Sequence, residues 1–409
     1  MTKELEASID INVINPNPEI IDNSAIHSLS ELIRGKIAKV MSVNSLGSHF
    51  KAYQSDHSEN LHHDNNLTFL ISPTPFQLPE EVEKNLERYG RAISAFYRVC
   101  DAIFRKLPEP HKWKKILNNN RPEWVLKKAR DEEDQISHLF LRPDFILTEG
   151  GVVTAEIETS PFGLALALFL NKAYSGEEGK FIDIFFSEVM KNETTQNLCL
   201  MLTEHTKKYR GQFEYLAKLL LEKGIDVFIS MPDEVEVKDQ ECFHNGKKID
   251  TIYRGFYLHE STKDENLAKI LQSNSQVFPG YKSHLEEKAM MAMFFDPELN
   301  STFQTELNEH HDLLKTIFPS TYVLEGNPPS EMGISKWEEI ANIPRGKRLF
   351  ILKSSGFSDK SSWSKGIQFL NKLSQDKCRE VIRNALAGDD VFIIQEFKKG
   401  KNFEQEYYD

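Results

Sequence analysis

Three carboxylates and an arginine stand at a spacing that chemistry can use. Arg142-Pro143-Asp144-Phe145 opens an extended run that continues through Ile146 and Leu147. Glu149-Gly150-Gly151 supplies a turn, and Val152 to Ile157 runs back into Glu156-Ile157-Glu158. The pattern predicts two strands joined by a hairpin. Residues i and i+2 of a strand share a face. Glu156 and Glu158 therefore point one way, and an antiparallel partner brings Asp144 alongside. Three converging carboxylates repel unless something cationic lies between them, and a hard divalent ion such as Mg²⁺ suits oxygen donors. Arg142, on the face of Asp144, has a fork that can grip a phosphate. Metal, carboxylates and arginine together suggest ATP chemistry. Acidic residues alternating with apolar ones also describe a strand with one wet face.

A second set lies near the C-terminus. Arg348-Leu349-Phe350-Ile351-Leu352-Lys353 puts a lysine at the end of an apolar strand. Residues 354–366 follow as a serine- and glycine-rich loop carrying Lys360 and Lys365. Such a loop, with Ser355 and Gly356 at its root, can aim hydroxyls and backbone N–H groups at phosphate oxygens. The spacing is not that of a P-loop, and no Gly-x-Gly-x-x-Gly occurs. A surface loop with a solvated lysine fits the same residues. Lys288 stands early in a largely apolar helical stretch, Leu285 to Phe295, from which lysines commonly snorkel. Gln395-Glu396-Phe397 ends the last apolar strand. A backbone edge there can read an adenine, and Glu396 can accept from an amine or a ribose hydroxyl. A strand running into the basic turn Lys398-Lys399-Gly400-Lys401 describes these residues equally well. His57, His62 and His63 lie in a polar stretch with no apolar frame to fix their geometry, and read as a solvated loop.

The elements that must position these groups follow from periodicity and punctuation. Ser28 to Val43 has helical spacing. Glu80 to Leu107 predicts a long amphipathic helix with Tyr89, Ile93, Phe96, Tyr97, Cys100 and Phe104 in its stripe, stopped by Pro108 and Pro110. Pro122 to Ala129 is a shorter helix, and another follows Pro161-Phe162-Gly163. A helix from Glu204 to Lys223, Gly224 and a strand from Ile225 to Ser230 compose an α/β unit. Val235-Glu236-Val237 and Lys247-Lys248-Ile249 flank Asn245-Gly246 as a small hairpin. Asp250 to Phe256 is a strand carrying Arg254, a candidate anchor for a substrate carboxylate. Leu307 to Ile317 and Ser374 to Leu386 are helices, and Val391 to Phe397 is a strand.

At 409 residues the chain has room for two or three domains, and 40% hydrophobic with 27% charged residues is ordinary globular composition. A net charge of −12 argues against nonspecific nucleic-acid binding. Cys100, Cys199, Cys242 and Cys378 have neither zinc nor redox spacing. The N-terminus has no secretory pattern, and the longest apolar run, Phe162 to Leu170, is too short for a membrane span. The expected setting is the cytoplasm, with no membrane partner.

The order of these features resembles the ATP-grasp superfamily. A helix lysine (Lys288), a Pro-Ser-Thr segment (Pro319 to Thr321) and a strand lysine (Lys353) come first. A Ser/Gly loop, a helix and a hydrophobic strand ending in Gln395-Glu396 complete the nucleotide half of that fold. Arg142-x-Asp144 and Glu156-x-Glu158 are similar to its metal half. They precede the lysines, as in the circularly permuted, glutathionylspermidine synthetase-like and glutathione synthetase-like ligases. The likeness covers roughly 140–165 and 250–400, leaving the first 130 residues unmatched. Two departures stand out: Glu158 replaces the family's usual asparagine, and the chain stops at Asp409, soon after the hinge.

The resemblance implies an α/β (α+β) fold. A mainly helical region would span 1–130, a metal-carboxylate hairpin segment 131–204, a small α/β domain 205–284 and a nucleotide-binding segment 285–409. It implies ATP held by Lys288, Lys353, Ser355, Gly356, Gln395 and Glu396, and Mg²⁺ held by Asp144, Glu156 and Glu158. Arg142 and Lys353 would be catalytic. The reaction would join a small-molecule carboxylate to an amine through an acyl phosphate. An ATP-binding protein without ligase activity and a non-catalytic scaffold are the alternatives.

Overall fold

The computed structural model describes residues 75–131, 140–160, 163–175, 180–189, 196–361 and 365–404. The stretch Ser28 to Val43, the three histidines His57, His62 and His63, Pro161-Phe162 and the loop tip 362–364 lie outside them.

The described chain opens with α1 (Glu80–Lys106), α2 (Lys112–Asn118) and α3 (Glu123–Asp131). α1 forms where its apolar stripe predicts. Glu80, Glu81 and Glu83 occupy its first turn and Arg105 and Lys106 its last, signs that suit the helix dipole. The hairpin of β1 (Arg142–Thr148) and β2 (Gly151–Glu158) follows, then α4 (Leu164–Ser175) and α5 (Phe181–Val189). β3 (Asn197–Leu202), α6 (Arg210–Glu222), β4 (Asp226–Ser230), β5 (Val235–Lys238), β6 (Glu241–His244), β7 (Lys247–Lys248), β8 (Thr251–Gly255), α7 (Glu265–Leu271) and β9 (Gln276–Phe278) make up the middle. The final part carries α8 (Ala289–Phe294), α9 (Asn300–Leu307), α10 (His310–Ile317), β10 (Thr321–Val323), β11 (Phe350–Ser354), β12 (Ile367–Phe369), α11 (Gln375–Ala387) and β13 (Phe392–Glu396).

The fold is α/β. Its middle sheet has the order β4-β3-β8-β9 and is parallel throughout. Leu198 to Leu202 is therefore an unbroken buried run, as a strand covered on both faces must be. Gly255 ends β8 where there is no room for a side chain. A Cβ there would fall 2.7 Å from the Met201 carbonyl oxygen and 2.5 Å from the Phe213 ring. Gly255→Ala is expected to lower unfolding stability by about 2–3 kcal/mol, read from the urea midpoint. An unchanged midpoint would show that Phe213 moves aside without cost.

The last sheet, of order β10-β13-β11-β12, is antiparallel. Its two faces are chemically distinct. Leu352 and Ile394 face the buried side of α11, with Trp337, Cys378 and Ile382. Ile393 of the opposite face joins a second core with α1, α8, α9 and α10. Phe96 is its centre, with ring centroids 5.0 Å from Phe318, 5.8 Å from Phe303 and 6.1 Å from Phe294. Because alternate strand residues share a face, Lys353 and Gln395 are carried on the side of Ile393, away from α11.

Three local expectations are corrected. The stretch from Leu285 to Phe295 is not one helix. Ser283–Glu286 forms a 3₁₀ turn, Glu287 is extended, and α8 begins after Lys288. Leu307 to Ile317 is interrupted at Asn308, whose φ is 47°. The Asn245-Gly246 turn joins β6 to β7. Val235 to Lys238 pairs with the other edge of β6, through a turn in which Asp239 and Gln240 both have positive φ.

Candidate active site

The hairpin forms where the sequence predicts it. Arg142 lies opposite Glu158, and Asp144 lies opposite Glu156. Beyond Asp144 the register slips, so that Phe145 lies opposite Thr154 and Ala155 is the extra residue. A bulge frees a backbone group from its ladder. Here the Ala155 carbonyl accepts from Lys353 Nζ at 2.9 Å, joining β2 to β11.

Around this bridge the structure gathers Lys288, Lys353, Glu156, Glu158 and Gln395. Lys288 Nζ is 2.5 Å from Glu156 Oε1 and donates to the Ser361 carbonyl at 2.7 Å. A recess of about 300 Å³, including its open mouth, is lined by the charged residues Glu156, Glu287, Lys288 and Lys353. Phe96, Tyr97, Met290, Met291, Ile393 and Gln395 line it too, with Ala155 and Ile157. Between its walls there is little more than the room one water needs. Gln395 is buried, and its amide donates to Thr321 Oγ1 at 3.1 Å. Glu396, on the other face of β13, pairs with Lys398 at 2.5 Å.

The charges shift one another. Burial pushes the Lys353 ammonium down to about 8, with Lys288 adding to the effect and Glu156 opposing it. Burial also pushes the Glu158 carboxyl up to about 7, helped by Glu156 and opposed by Lys288 and Arg142. Burial would raise Glu156 as well, but Lys288 and Lys353 outweigh it and hold that carboxyl below its ordinary value. The two carboxyls act on each other, and their shifts run in opposite directions: Glu156 down and Glu158 up.

The expected cluster of three carboxylates does not form. Asp144 is half-exposed and paired with Arg142 at 3.0 Å. Among the described residues no three His, Cys, Asp or Glu side chains lie close enough to hold a metal. Lys288 and Lys353 compensate the glutamates instead. Two adjacent carboxyls still suit Mg²⁺, which uses one or two protein carboxylates and takes its other oxygens from water and phosphate.

Two further expectations meet other partners. The Ser355 hydroxyl donates to Glu287 Oε2 at 2.6 Å, and the Gly356 N–H donates to the same oxygen. Arg254 is fully buried. Its guanidinium donates to the carbonyls of Pro279, Phe256 and Gly280 and pairs with Glu286 at 2.6 Å. That bonding ties β8 to the chain after β9. Nothing in Glu286-Glu287-Lys288 separates Glu287 from a solvated helix residue; only its burial distinguishes it. Tyr97 was read as core, and it also lines the recess, with its hydroxyl 3.4 Å from the Ile157 carbonyl.

No family model matches the sequence, and no curated protein is similar to it. Among solved structures, one likeness is to a glutathione synthetase-like effector from Globodera pallida in its apo form. It has 11% identity and a TM-score of 0.47, over 86% of this chain and 80% of that one. Another is to a protein from Methylobacillus flagellatus provisionally named a gamma-glutamylcysteine synthetase. It has 14% identity and a TM-score of 0.44, over 80% of this chain and 77% of that one. At these values neither likeness assigns a family.

Proposed function

We propose that this chain is an ATP- and Mg²⁺-dependent ligase that joins a small-molecule carboxylate to an amine through an acyl phosphate, on a circularly permuted ATP-grasp arrangement. The observation that carries the reading is the meeting of Lys288, Lys353 and Glu156 in a recess that Phe96, Met290, Met291, Ile393 and Gln395 also line, with the Glu158 carboxyl interacting with Glu156. Charge-perturbed groups beside apolar walls suit a phosphate chain joined to a base.

In this reading Lys288 and Lys353 exchange Glu156 and the Ala155 carbonyl for phosphate oxygens. Removing those contacts also widens the recess. Arg142, held by Asp144, adds positive charge at the hairpin end. Phosphoryl transfer of this kind depends on positioning and charge stabilisation more than on covalent chemistry by the protein. Mg²⁺, held by Glu156 and Glu158, would supply neutralisation of the phosphate charge. The segment from Ser358 to Ser361, beyond the seated root at Ser355 to Phe357, would help keep water from the acyl phosphate. Four free, buried cysteines support a reducing compartment such as the cytoplasm. Among the described residues no helix is long and apolar enough to cross a membrane.

The test is calorimetric titration of ATP, with and without Mg²⁺, into the native protein and a folded Glu156→Gln/Glu158→Gln variant. Native binding that is strengthened by Mg²⁺, with at least about a tenfold loss of that increment in the variant, is the expected result. Release of ADP on adding acid and amine pairs then separates a ligase from a protein that only binds nucleotide. If the native protein binds no ATP, the scaffold reading replaces this one.

A further inference from the structure

Glu287 is a buried carboxylate that the phosphate chemistry above does not use. Its side chain is 3% exposed, and that of its partner Arg121 is 1% exposed. Arg121 is itself fixed, donating to Ser283 Oγ at 2.8 Å and to the Ser283 carbonyl at 3.0 Å. The other carboxylate oxygen, Oε2, accepts from the Ser355 hydroxyl and from the Gly356 N–H. The Ser355 oxygen in turn accepts the Ala289 N–H at 3.0 Å. The result is a closed set of bonds between the start of α8 and the root of the loop after β11.

Its location relative to the two lysines is the important point. Glu287 immediately precedes Lys288, and Ser355 follows Lys353 by two residues. The bonds therefore cross the gap that separates the two cations. The same loop root is seated a second time by Phe357, buried among the side chains of the middle unit with Arg121 over its ring at 5.1 Å. A carboxylate extended out of the helical path also explains why Leu285 to Phe295 breaks at Glu287.

Resting on the nucleotide reading of this site, we infer that Glu287 is a positioning residue: its carboxylate sets the spacing of Lys288 and Lys353. Ser355 and Gly356 are fastenings of the loop root and not phosphate ligands. Their donors are taken by Oε2 of a buried carboxylate, and a phosphate that took them would leave that oxygen buried without either donor. An unsatisfied buried charged group is far more costly than one hydrogen bond.

The experiment compares ATP with Mg²⁺ against adenosine, by calorimetric titration, in the native protein, Ser355→Ala and Glu287→Gln. Adenosine has no phosphates, so it reports the integrity of the site without the lysines. Both variants are expected to bind ATP about tenfold more weakly, with adenosine affinity within about twofold of native. Thermal unfolding reports whether each is folded. If Glu287→Gln does not fold, Glu287→Asp, which keeps the charge beside Arg121 and shortens the reach to Ser355 and Gly356, carries the test; Ser355→Ala alone would also lose ATP affinity if the hydroxyl touched phosphate. Equal losses for ATP and adenosine, or no loss of either, overturn the inference and leave the nucleotide reading standing. A native protein that binds no ATP overturns both, and the unmodified arm alone reports it.

Discussion

Lys353→Met is expected to weaken binding of ATP with Mg²⁺ by about 100-fold while leaving the thermal unfolding midpoint unchanged or raised. The first effect follows from the proposed role. Removing one partner of a buried charge pair costs about 2–5 kcal/mol of binding, and about 2.7 kcal/mol is 100-fold. The second follows from what the native protein endures. Lys353 is 4% exposed, and burial pushes its ammonium down to about 8. An unfolded lysine titrates near ~10.4. Between those values the unfolded chain binds more protons than the folded one, so stability rises as pH climbs from about 8 towards 10.5. Below pH 8 the full penalty of holding the charge is present, about 3 kcal/mol by the same linkage. Methionine keeps the stem's volume and removes that penalty. Against it stand the Ala155 carbonyl left without its donor, at about 1–3 kcal/mol, and a Glu156 that keeps only Lys288. Titration beside thermal unfolding at pH 7 measures both. A variant that loses several kcal/mol of stability along with binding would make Lys353 an internal strut between β2 and β11, and the nucleotide role would fall.

The native protein should lose stability as pH rises from about 4.5 to 7, and Glu158→Gln should abolish that loss. Burial, with Glu156 close by, pushes the Glu158 carboxyl up to about 7. A carboxyl whose folded value lies above its unfolded one contributes stability that is complete below the unfolded value. That contribution is lost as pH climbs through the folded value. Over this window the loss is about 3 kcal/mol at most. Glutamine cannot ionise, so the variant should be the more stable protein at pH 8 and indistinguishable near pH 4. Urea unfolding at intervals from pH 4 to pH 8 reads the difference. A native curve that is flat across the window would show that the Glu158 carboxyl is not raised. The Glu158 proton also bears on metal. An ion bound by the two carboxyls must displace it. The Mg²⁺-dependent part of ATP affinity should therefore rise by up to about tenfold per pH unit below 7 and level off above it.

The hairpin was legible in the sequence because both its determinants are local. The Glu149-Gly150-Gly151 turn sets the register, and strand alternation sets the faces. These fix the pairs from Thr148 opposite Gly151 to Phe145 opposite Thr154; Asp144 opposite Glu156 and Arg142 opposite Glu158 require one further residue of slip. Alternation likewise carried Lys353 and Gln395 to one side of the last sheet. The bulge at Ala155 was not legible, because nothing in Thr154-Ala155-Glu156 marks it. Its evident compensation, the bond from Lys353, comes from 198 residues away.

The charge balance shows the same division. Three carboxylates at hairpin spacing required a compensating cation, and the residue types alone established that much. Which cation it is depended on what other elements bring to the same point. Lys288 arrives on the turn before α8 and Lys353 on β11, and their ammonium groups stand where an ion from solvent was expected. Asp144, paired with Arg142, acts on Lys353 only through space, as the weakest of that lysine's charged neighbours. Glu287 and Arg254 lie furthest from sequence reasoning. Each looked unremarkable or ligand-seeking by type, and each is buried with its bonds satisfied by distant chain. Residue type and local period therefore determined the strands, the faces and the need for countercharge. Tertiary structure decided which groups are dehydrated and which partners reach them, because burial and Coulomb energies depend on distances between elements that no local pattern encodes.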